Sequence, residues 1–304
     1  MKFLIFIGGL VLSQASLAVS ALPVSQIAPG IYFHQSAHHW PDQHNHGEIA
    51  NLGFIVGDKC VAVIDSGGSP QQGIALRNAV KQATDKPICY VINTHVHPDH
   101  IYGNLAFKQP GVQFIGHYKL ARAMASRGNH YLGRAAELLD IHVNQDNIIP
   151  PDLQVKDQMR VNLGNRELLL TAHASAHTDN DLSIYDKTTN TLWLADLLFL
   201  EHIPVIDGSI KGWIAELEKL EKNHYQLVIP GHGKPVQNWP AAMQAQKTYL
   251  TSLRNEIRNM LKQGKTLEQA VDQAGLNAKG DWQLYDEFHR KNVTIAYAEL
   301  EWED

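Results

Sequence analysis

Thr94-His95-Val96-His97-Pro98-Asp99-His100 places three imidazoles and a carboxylate within a six-residue stretch. Nitrogen and oxygen donors without a thiolate suit Zn²⁺ best, with Fe or Mn as the other ions such a set accepts. The stretch follows the apolar, β-branched run Ile88 to Asn93. A buried strand is therefore expected to deliver it to its own carboxyl end, where α/β sites are built. In extended chain the side-chain period is two, so His95 and His97 point to the same side. Pro98 then turns the backbone and brings Asp99 and His100 around, letting one loop serve two adjacent metal sites.

Three further donors stand beside predicted strands. His177 precedes the alternating strand Leu182 to Tyr185. Asp196 is expected to end the strand Thr191 to Ala195. His232 follows Leu227-Val228-Ile229 within Pro230-Gly231-His232-Gly233. The ordered set, H-x-H-x-D-H and then His, Asp and His, resembles the metallo-β-lactamase superfamily from about Ile31 to His232. That resemblance implies that His95, His97 and His177 hold one metal, that Asp99, His100 and His232 hold a second, and that Asp196 bridges them. It implies two Zn²⁺ as cofactors and an α/β fold, the four-layer αββα sandwich. Ile64-Asp65-Ser66-Gly67 is similar to the superfamily's early Asp-bearing strand end, which supports ligands from behind. A polar residue that merely ends a strand is the other reading of Asp65.

Two Zn²⁺ ions in such a site lower the pKa of a shared water towards 7, which makes a nucleophile at neutral pH without a general base. Asp99 is then expected to be the catalytic carboxylate, ligating a metal and orienting that nucleophile. The surrounding residues are mixed by the standards of the resemblance. His177-Thr178-Asp179-Asn180-Asp181 is loosely similar to the corresponding segment of true β-lactamases, yet Asp196 stands where those enzymes commonly carry cysteine or serine. Phe199 stands where many of them carry a substrate-binding lysine. A bridging aspartate resembles the glyoxalase II arrangement, and His97 replaces the glutamate of diiron flavoproteins. Asn104-Leu105-Ala106-Phe107 and the closing stretch from Asn292 to Trp302 are similar to the exported zinc hydrolases associated with thiosulfate oxidation and quinoprotein relay systems. The expected activity is metal-dependent hydrolysis of an ester, thioester or other small acyl compound. The rivals are β-lactam hydrolysis and an accessory role beside a periplasmic redox or quinoprotein partner.

Positioning these residues calls for strands at Ile31 to His34, Leu52 to Val56, Cys60 to Asp65 and Ile88 to Asn93, with an amphipathic helix around Ile74 to Val80. A second series runs through Glu167 to Thr171, Leu182 to Tyr185, Thr191 to Ala195, a helix near Ile210 to Lys222, and Leu227 to Ile229. A polar, partly helical insertion between His100 and Glu167 includes Tyr118 to Ser126 and Arg134 to Leu139 and is placed to roof the site. Its Arg122, Arg127 and Arg134 are candidates for meeting an anionic substrate, although solvated faces are the commoner fate of helical arginines. The loop from Gln35 to Ala50 is a second candidate flap. The histidine cluster His34, His38, His39, His44 and His46 invites a further metal site, but its irregular spacing around Pro41 and Gly47 favours a solvated loop.

Beyond His232 the pattern turns helical. Asn238 is expected to cap a helix presenting Met243, Leu250, Leu253, Ile257 and Leu261, and Thr266 opens a capping box closed by Gln269. A third helix carries Tyr285, Phe288, Ile295 and Ala296. The division expected is a signal peptide over 1–21, a metallo-β-lactamase-like domain over 22–238 and a C-terminal helical extension over 239–304.

At 304 residues and 44% hydrophobic content the chain can bury a sizeable core, and its formal net charge of −5 excludes a general nucleic-acid footprint. Of the seventeen histidines, only five are needed as ligands. Met1-Lys2, the apolar run Phe3 to Leu12 and the small residues through Ala21 read as a secretory signal cleaved after Ala18 or Ala21, with a run too short to span a bilayer. The mature protein is expected to be periplasmic or secreted, soluble rather than membrane-anchored, and to act on a small molecule. Cys60 and Cys89, the only cysteines, each open a predicted strand. If those strands are parallel neighbours, an oxidising compartment makes a disulfide the expectation; two small buried hydrophobes is the other reading.

Overall fold

The structure, a computed structural model, describes residues 19–303. The expected signal peptide therefore falls, up to residue 18, outside the described residues. Two sheets form the centre. The first has seven strands in chain order: β1 (Ser25–Ala28), β2 (Ile31–His34), β3 (Leu52–Val56), β4 (Val61–Ile64), β5 (Ile88–Ile92), β6 (Gln113–His117) and β7 (Leu153–Val155). Pairing is antiparallel through β4 and parallel from β4 to β7. The second sheet contains β8 (Gln158–Asn162), β9 (Glu167–Ala172), β10 (Leu182–Asp186), β11 (Thr191–Phe199) and β12 (Leu227–His232), with only the β11–β12 pair parallel.

Alternation along the central strands assigns each side chain to a layer. On β4, Ala62 and Ile64 join Ile55, Ile92, Leu168, Leu170, Ile184 and Trp193 between the sheets. Val61 and Val63 face the other way with Leu52, Phe54 and Val91, against Leu76, Ala79 and Val80 of helix α1 (Pro70–Ala83). Both faces are covered, which is why these strands read as near-continuous apolar runs. Ser69 caps α1 by accepting from Gln72 N, and Pro70 occupies the first turn, where no backbone donor is needed.

The second sheet is covered in the same way. Leu192, Leu194 and Val228 meet Trp213, Ile214 and Leu217 of α4 (Ile210–Leu220), and beyond them lie α5 (Gln244–Lys262), α6 (Leu267–Gln273) and α7 (Tyr285–Leu300). The result is the α/β four-layer αββα sandwich with C-terminal helices packed on its second face. On the first half, α2 (Pro98–Ile101) is a single turn after β5, and α3 (Leu120–Arg134) continues into a wider turn over Ala135–Leu139. The helical part of the insertion runs unbroken from Leu120 to Leu139, while β6, β7 and β8 make up much of the rest, and it packs Leu120, Met124 and Leu139 against Val96, Ile101 and Tyr102 of the loop that bears the histidines.

Three local expectations are corrected. The strand predicted to stop before Asp196 runs on to Phe199, because Ala195, at φ +46°, and an irregular register let β11 keep pairing with β12. Asn238 caps no helix: a 3₁₀ turn over Ala241–Met243 leads into α5. The strands β1, β6, β7 and β8 extend the two sheets beyond the strands predicted. Cys60 and Cys89 do sit at the starts of parallel neighbours, Val61 being paired with Ile88, and they form a disulfide with a Cα–Cα separation of 5.8 Å.

Candidate metal centre

All seven predicted donors converge: His95, His97, Asp99 and His100 follow β5, His177 lies in the loop between β9 and β10, Asp196 sits within β11 and His232 ends β12. His95, His97, His177 and Asp196 form one group and Asp99, His100 and His232 another, with the donor atoms of each group within 4.8 Å of one another. The Asp196 carboxylate lies between them. Its Oδ2 is 3.7 Å from His95 Nε2, 3.4 Å from His177 Nε2 and 3.4 Å from His232 Nε2, while its Oδ1 is 3.3 Å from His100 Nε2. Asp99 Oδ2 approaches His100 Nε2 at 3.4 Å and His232 Nε2 at 3.6 Å.

Loops that follow strands aim these side chains. Thr94, just past β5, donates from its backbone N and its hydroxyl to the fully buried Asp65. Asp65 adopts φ +55° where the chain leaves β4, a left-handed conformation that aspartate tolerates better than most residues. Its other partner is His100 Nδ1 at 2.8 Å, so the ring donates there and turns Nε2 towards Asp99 and Asp196. His177 Nδ1 likewise donates to the Val205 carbonyl at 2.6 Å, leaving Nε2 free to face Asp196. On β12, Gly231 comes so close to β11 that a Cβ there would collide with Asp196 Oδ1. Phe199 stacks on the His232 ring, 5.0 Å between centroids, and is buried behind it.

His97 brings in a residue that no motif announced. Its Nε2 lies 2.8 Å from Asp207 Oδ2, and its Nδ1 lies 3.0 Å from His177 Nε2, so Nδ1 is the atom presented to the group. Asp207 also accepts from Arg127 of α3, which ties the roofing helix to the site. Asp207 sits 110 residues from His97, in the loop before α4; only that loop's position between two strands that bear ligands could have drawn attention to it.

Burial and charge oppose each other here. Burial pushes His177 down to about 3 and His95 well below the ordinary imidazole range, so both are neutral. Burial also acts against charge on His100, but Asp99, Asp196 and Asp65 outweigh it and hold that ring well above the usual value. The Asp196 carboxyl stays ionised despite its burial because His100, His232 and His95 surround it.

Whether a metal fits can be read from unpaired atoms. His95 Nε2, His100 Nε2, His232 Nδ1 and Asp196 Oδ1 are buried without hydrogen-bond partners. Such orphans are costly, and the first, second and fourth point into the shared space between the two groups. The donor set suits two divalent cations: His95 and His177 are neutral, Asp196 is ionised, and a cation would take the place of the proton that the surrounding carboxylates hold on His100. None of the five histidines from His34 to His46 enters either group; among them His46 bonds the Leu139 carbonyl and His38 meets Gln283.

Beside the donors lies a cavity of about 250 Å³, reached by Asp99 and walled by Trp40, Tyr102, Tyr131 and Leu139. The early loop and the insertion thus both flank the centre. Among the described residues no helix is long and apolar enough to cross a membrane.

Comparison with known proteins agrees with this architecture. The family model described as metallo-beta-lactamase superfamily matches residues 47–232, a span containing all seven donors. A linear primary-alkylsulfatase of Pseudomonas sp. (strain ATCC 19151) is 21% identical over 210 residues, covering 57% of this chain and 39% of that protein. Among solved structures, a stereoselective inverting sec-alkylsulfatase from Pseudomonas sp. matches with a TM-score of 0.67 at 20% identity, over 92% of this chain and 50% of the other. A metallo-beta-lactamase from Pontibacter korlensis matches with a TM-score of 0.60 at 17% identity, over 76% of this chain and 99% of the other. This chain therefore spans well under two thirds of either alkylsulfatase, and at these identities the structural likeness is one of fold.

Proposed function

This chain belongs to the metallo-β-lactamase superfamily, and from that premise we propose a dinuclear zinc hydrolase, exported to the periplasm, that cleaves a small ester or thioester. Metal-dependent hydrolysis is what the family and the site support together; two zinc ions, the substrate class and the compartment are our reading. The observation that carries it is the seven-donor cluster, with Asp196 placed between its two halves and buried nitrogen lone pairs left unpaired around it.

His95, His97, His177 and Asp196 would hold one ion, and Asp99, His100, His232 and Asp196 the other. Bound there, the pair supplies an activated water at neutral pH and polarises the carbonyl under attack. The protein's own residues do the rest. Asp65 and Asp207 fix the tautomers of His100 and His97. Asp99, the carboxylate of the set that reaches the cavity, orients the activated water and, as the tetrahedral adduct collapses, relays the proton that adduct gives up to the leaving alcohol or thiol. Trp40, Tyr131 and Leu139 take the apolar part of the substrate and exclude bulk water.

Within the superfamily we assign the chain to the exported hydrolases associated with thiosulfate oxidation and quinoprotein relays, with a periplasmic redox protein as its physiological neighbour. Two of the residues behind that assignment have built-in roles: Asn104 exchanges hydrogen bonds with Asn93 behind the metal loop, and Asn292 holds Ile206 N and the Pro204 carbonyl beside Asp207. A sulfate ester is the second substrate class, favoured by the fold likeness to an alkylsulfatase over 92% of the chain. Steady-state rates on a thioester, an aryl ester, an alkyl sulfate and a chromogenic cephalosporin, measured on zinc-quantified protein, test the reading. Turnover confined to the sulfate would replace the acyl substrate, and no turnover by the two-zinc protein would support a metal-bearing accessory protein instead.

A further inference from the structure

We propose that Arg134 and Lys291 anchor a carboxylate on the substrate, so that the ester or thioester cleaved here is an anionic one with a short apolar body. The inference rests on the hydrolase reading and adds to it the charge of the substrate.

The insertion's three arginines are sorted by the fold. Arg122 is exposed and lies 3.8 Å from Asp179. Arg127 is committed to Asp207 and to the Tyr131 hydroxyl. Arg134, at the last turn of α3, borders the cavity that Asp99 enters, and Lys291 of α7 borders the same cavity from the C-terminal helices. Neither has a carboxylate within 4.0 Å among the described residues, whereas the other two arginines do. Residues more than 150 positions apart in sequence thus bring to one small cavity two cations that no carboxylate among the described residues contacts within 4.0 Å, Lys291 acting on Asp207 only from farther off, in a chain whose net charge is −5.

Charge and shape give the bound substrate one direction. The metal end of the cavity, marked by Asp99, is taken by the scissile group, so a carboxylate at the other end of the substrate falls to Arg134 and Lys291, the cations that border the same cavity. The walls between are apolar or aromatic: Trp40, Tyr102, Tyr131 and Leu139. A molecule with a scissile carbonyl at one end, a few carbons between and a carboxylate at the other satisfies all three regions. A guanidinium fork suits that carboxylate through paired N–H donors, and the lysine adds a point charge.

The test uses the zinc-loaded full-length protein and the pair Arg134→Gln, Lys291→Gln, singly and together. Monophenyl succinate and its neutral amide, phenyl succinamate, differ in charge alone. Wild type should prefer the anionic ester, and the double variant should lose about tenfold of that preference in kcat/KM, mainly through KM, with Arg134→Lys restoring part of it. A preference ratio that is the same in wild type and double variant overturns the anchor. Calorimetric titration of 3-phenylpropanoate and its amide reads the same site without turnover: the acid's Kd should rise about tenfold in the double variant and the amide's should not. If neither ester is hydrolysed but the acid's Kd rises, the anchor stands and the ester reading fails; if esters are hydrolysed and neither ratio nor Kd moves, the anchor alone fails.

Discussion

Asp196 is the residue on which both halves of the centre depend, because each of its oxygens faces a different set of imidazoles. Asp196→Ala should therefore leave about one zinc per chain and lower hydrolysis by roughly a hundredfold or more. Elemental analysis showing two retained ions would place the bridge elsewhere. Asp207→Asn tests a subtler dependence. The carboxylate holds His97 Nε2 at 2.8 Å, so the amide should free that ring and weaken metal binding by about 10- to 100-fold, with the fold intact by circular dichroism. Unchanged affinity would reduce Asp207 to a partner of Arg127. The seven donors were legible because metal chemistry restricts residue type and because each stands beside an apolar strand. Asp207 was not: its role arises from a contact across 110 residues, and an aspartate ahead of a helix is ordinary in any sequence.

The strands show where periodicity carries and where it fails. β4, β5 and β11 are buried on both faces, and their apolar runs were plain; β7 has only three residues, and β8 (Gln158–Asn162) is an edge strand with polar residues at three of its five positions, so neither gave a pattern to read. Asp196 was expected at a strand end because the backbone kink at Ala195 is a property of pairing with β12, which no local pattern encodes. The helix ends fared unevenly for a similar reason. The Thr266–Gln269 capping box forms as read, with the Thr266 hydroxyl accepting from Gln269 N, because it is local, while Asn238 lost its capping role to the 3₁₀ turn that follows Pro240. The disulfide was readable only as a conditional, since it needed β4 and β5 to be parallel neighbours. Protein unfolded without reductant should show no alkylatable thiol, and Cys89→Ser should lower stability by about 3 kcal/mol in denaturant titration, given the 29-residue separation. Two labelled thiols in wild type produced in an oxidising compartment would remove the bridge.

At the scale of the whole molecule, the two sheets and their outer helices followed from the family resemblance, which the order of strands suited, yet the substrate cavity was not legible, since its walls come from the early loop, the insertion and α7 at once. The same assembly makes metal a structural element. The unpaired buried nitrogens around Asp196 burden the metal-free protein, so zinc at a hundred times its Kd should add about 2.7 kcal/mol and raise the melting temperature by roughly 4–5 °C, a gain that chelation reverses. A melting temperature insensitive to chelator would mean that the donors hold no tight ion. Cavity size then bears on the rival substrate. A cephalosporin carries a carboxylate, and Arg134 and Lys291 offer that charge a partner, so electrostatics alone does not exclude it. Space weighs against it: about 250 Å³ beside the donors is below the roughly 300–1,000 Å³ typical of pockets that enclose drug-sized ligands. Phe199 widens nothing, being buried against His232 and Trp213 and offering no cation where many β-lactamases present one. Chromogenic cephalosporin should therefore be hydrolysed with a kcat/KM well under about 10⁴ M⁻¹s⁻¹, the lower end of ordinary enzyme efficiency. A value at or above that figure would require the early loop and α3 to move apart to admit the bicyclic ring, and it would promote the β-lactam over the small ester as the substrate of this site.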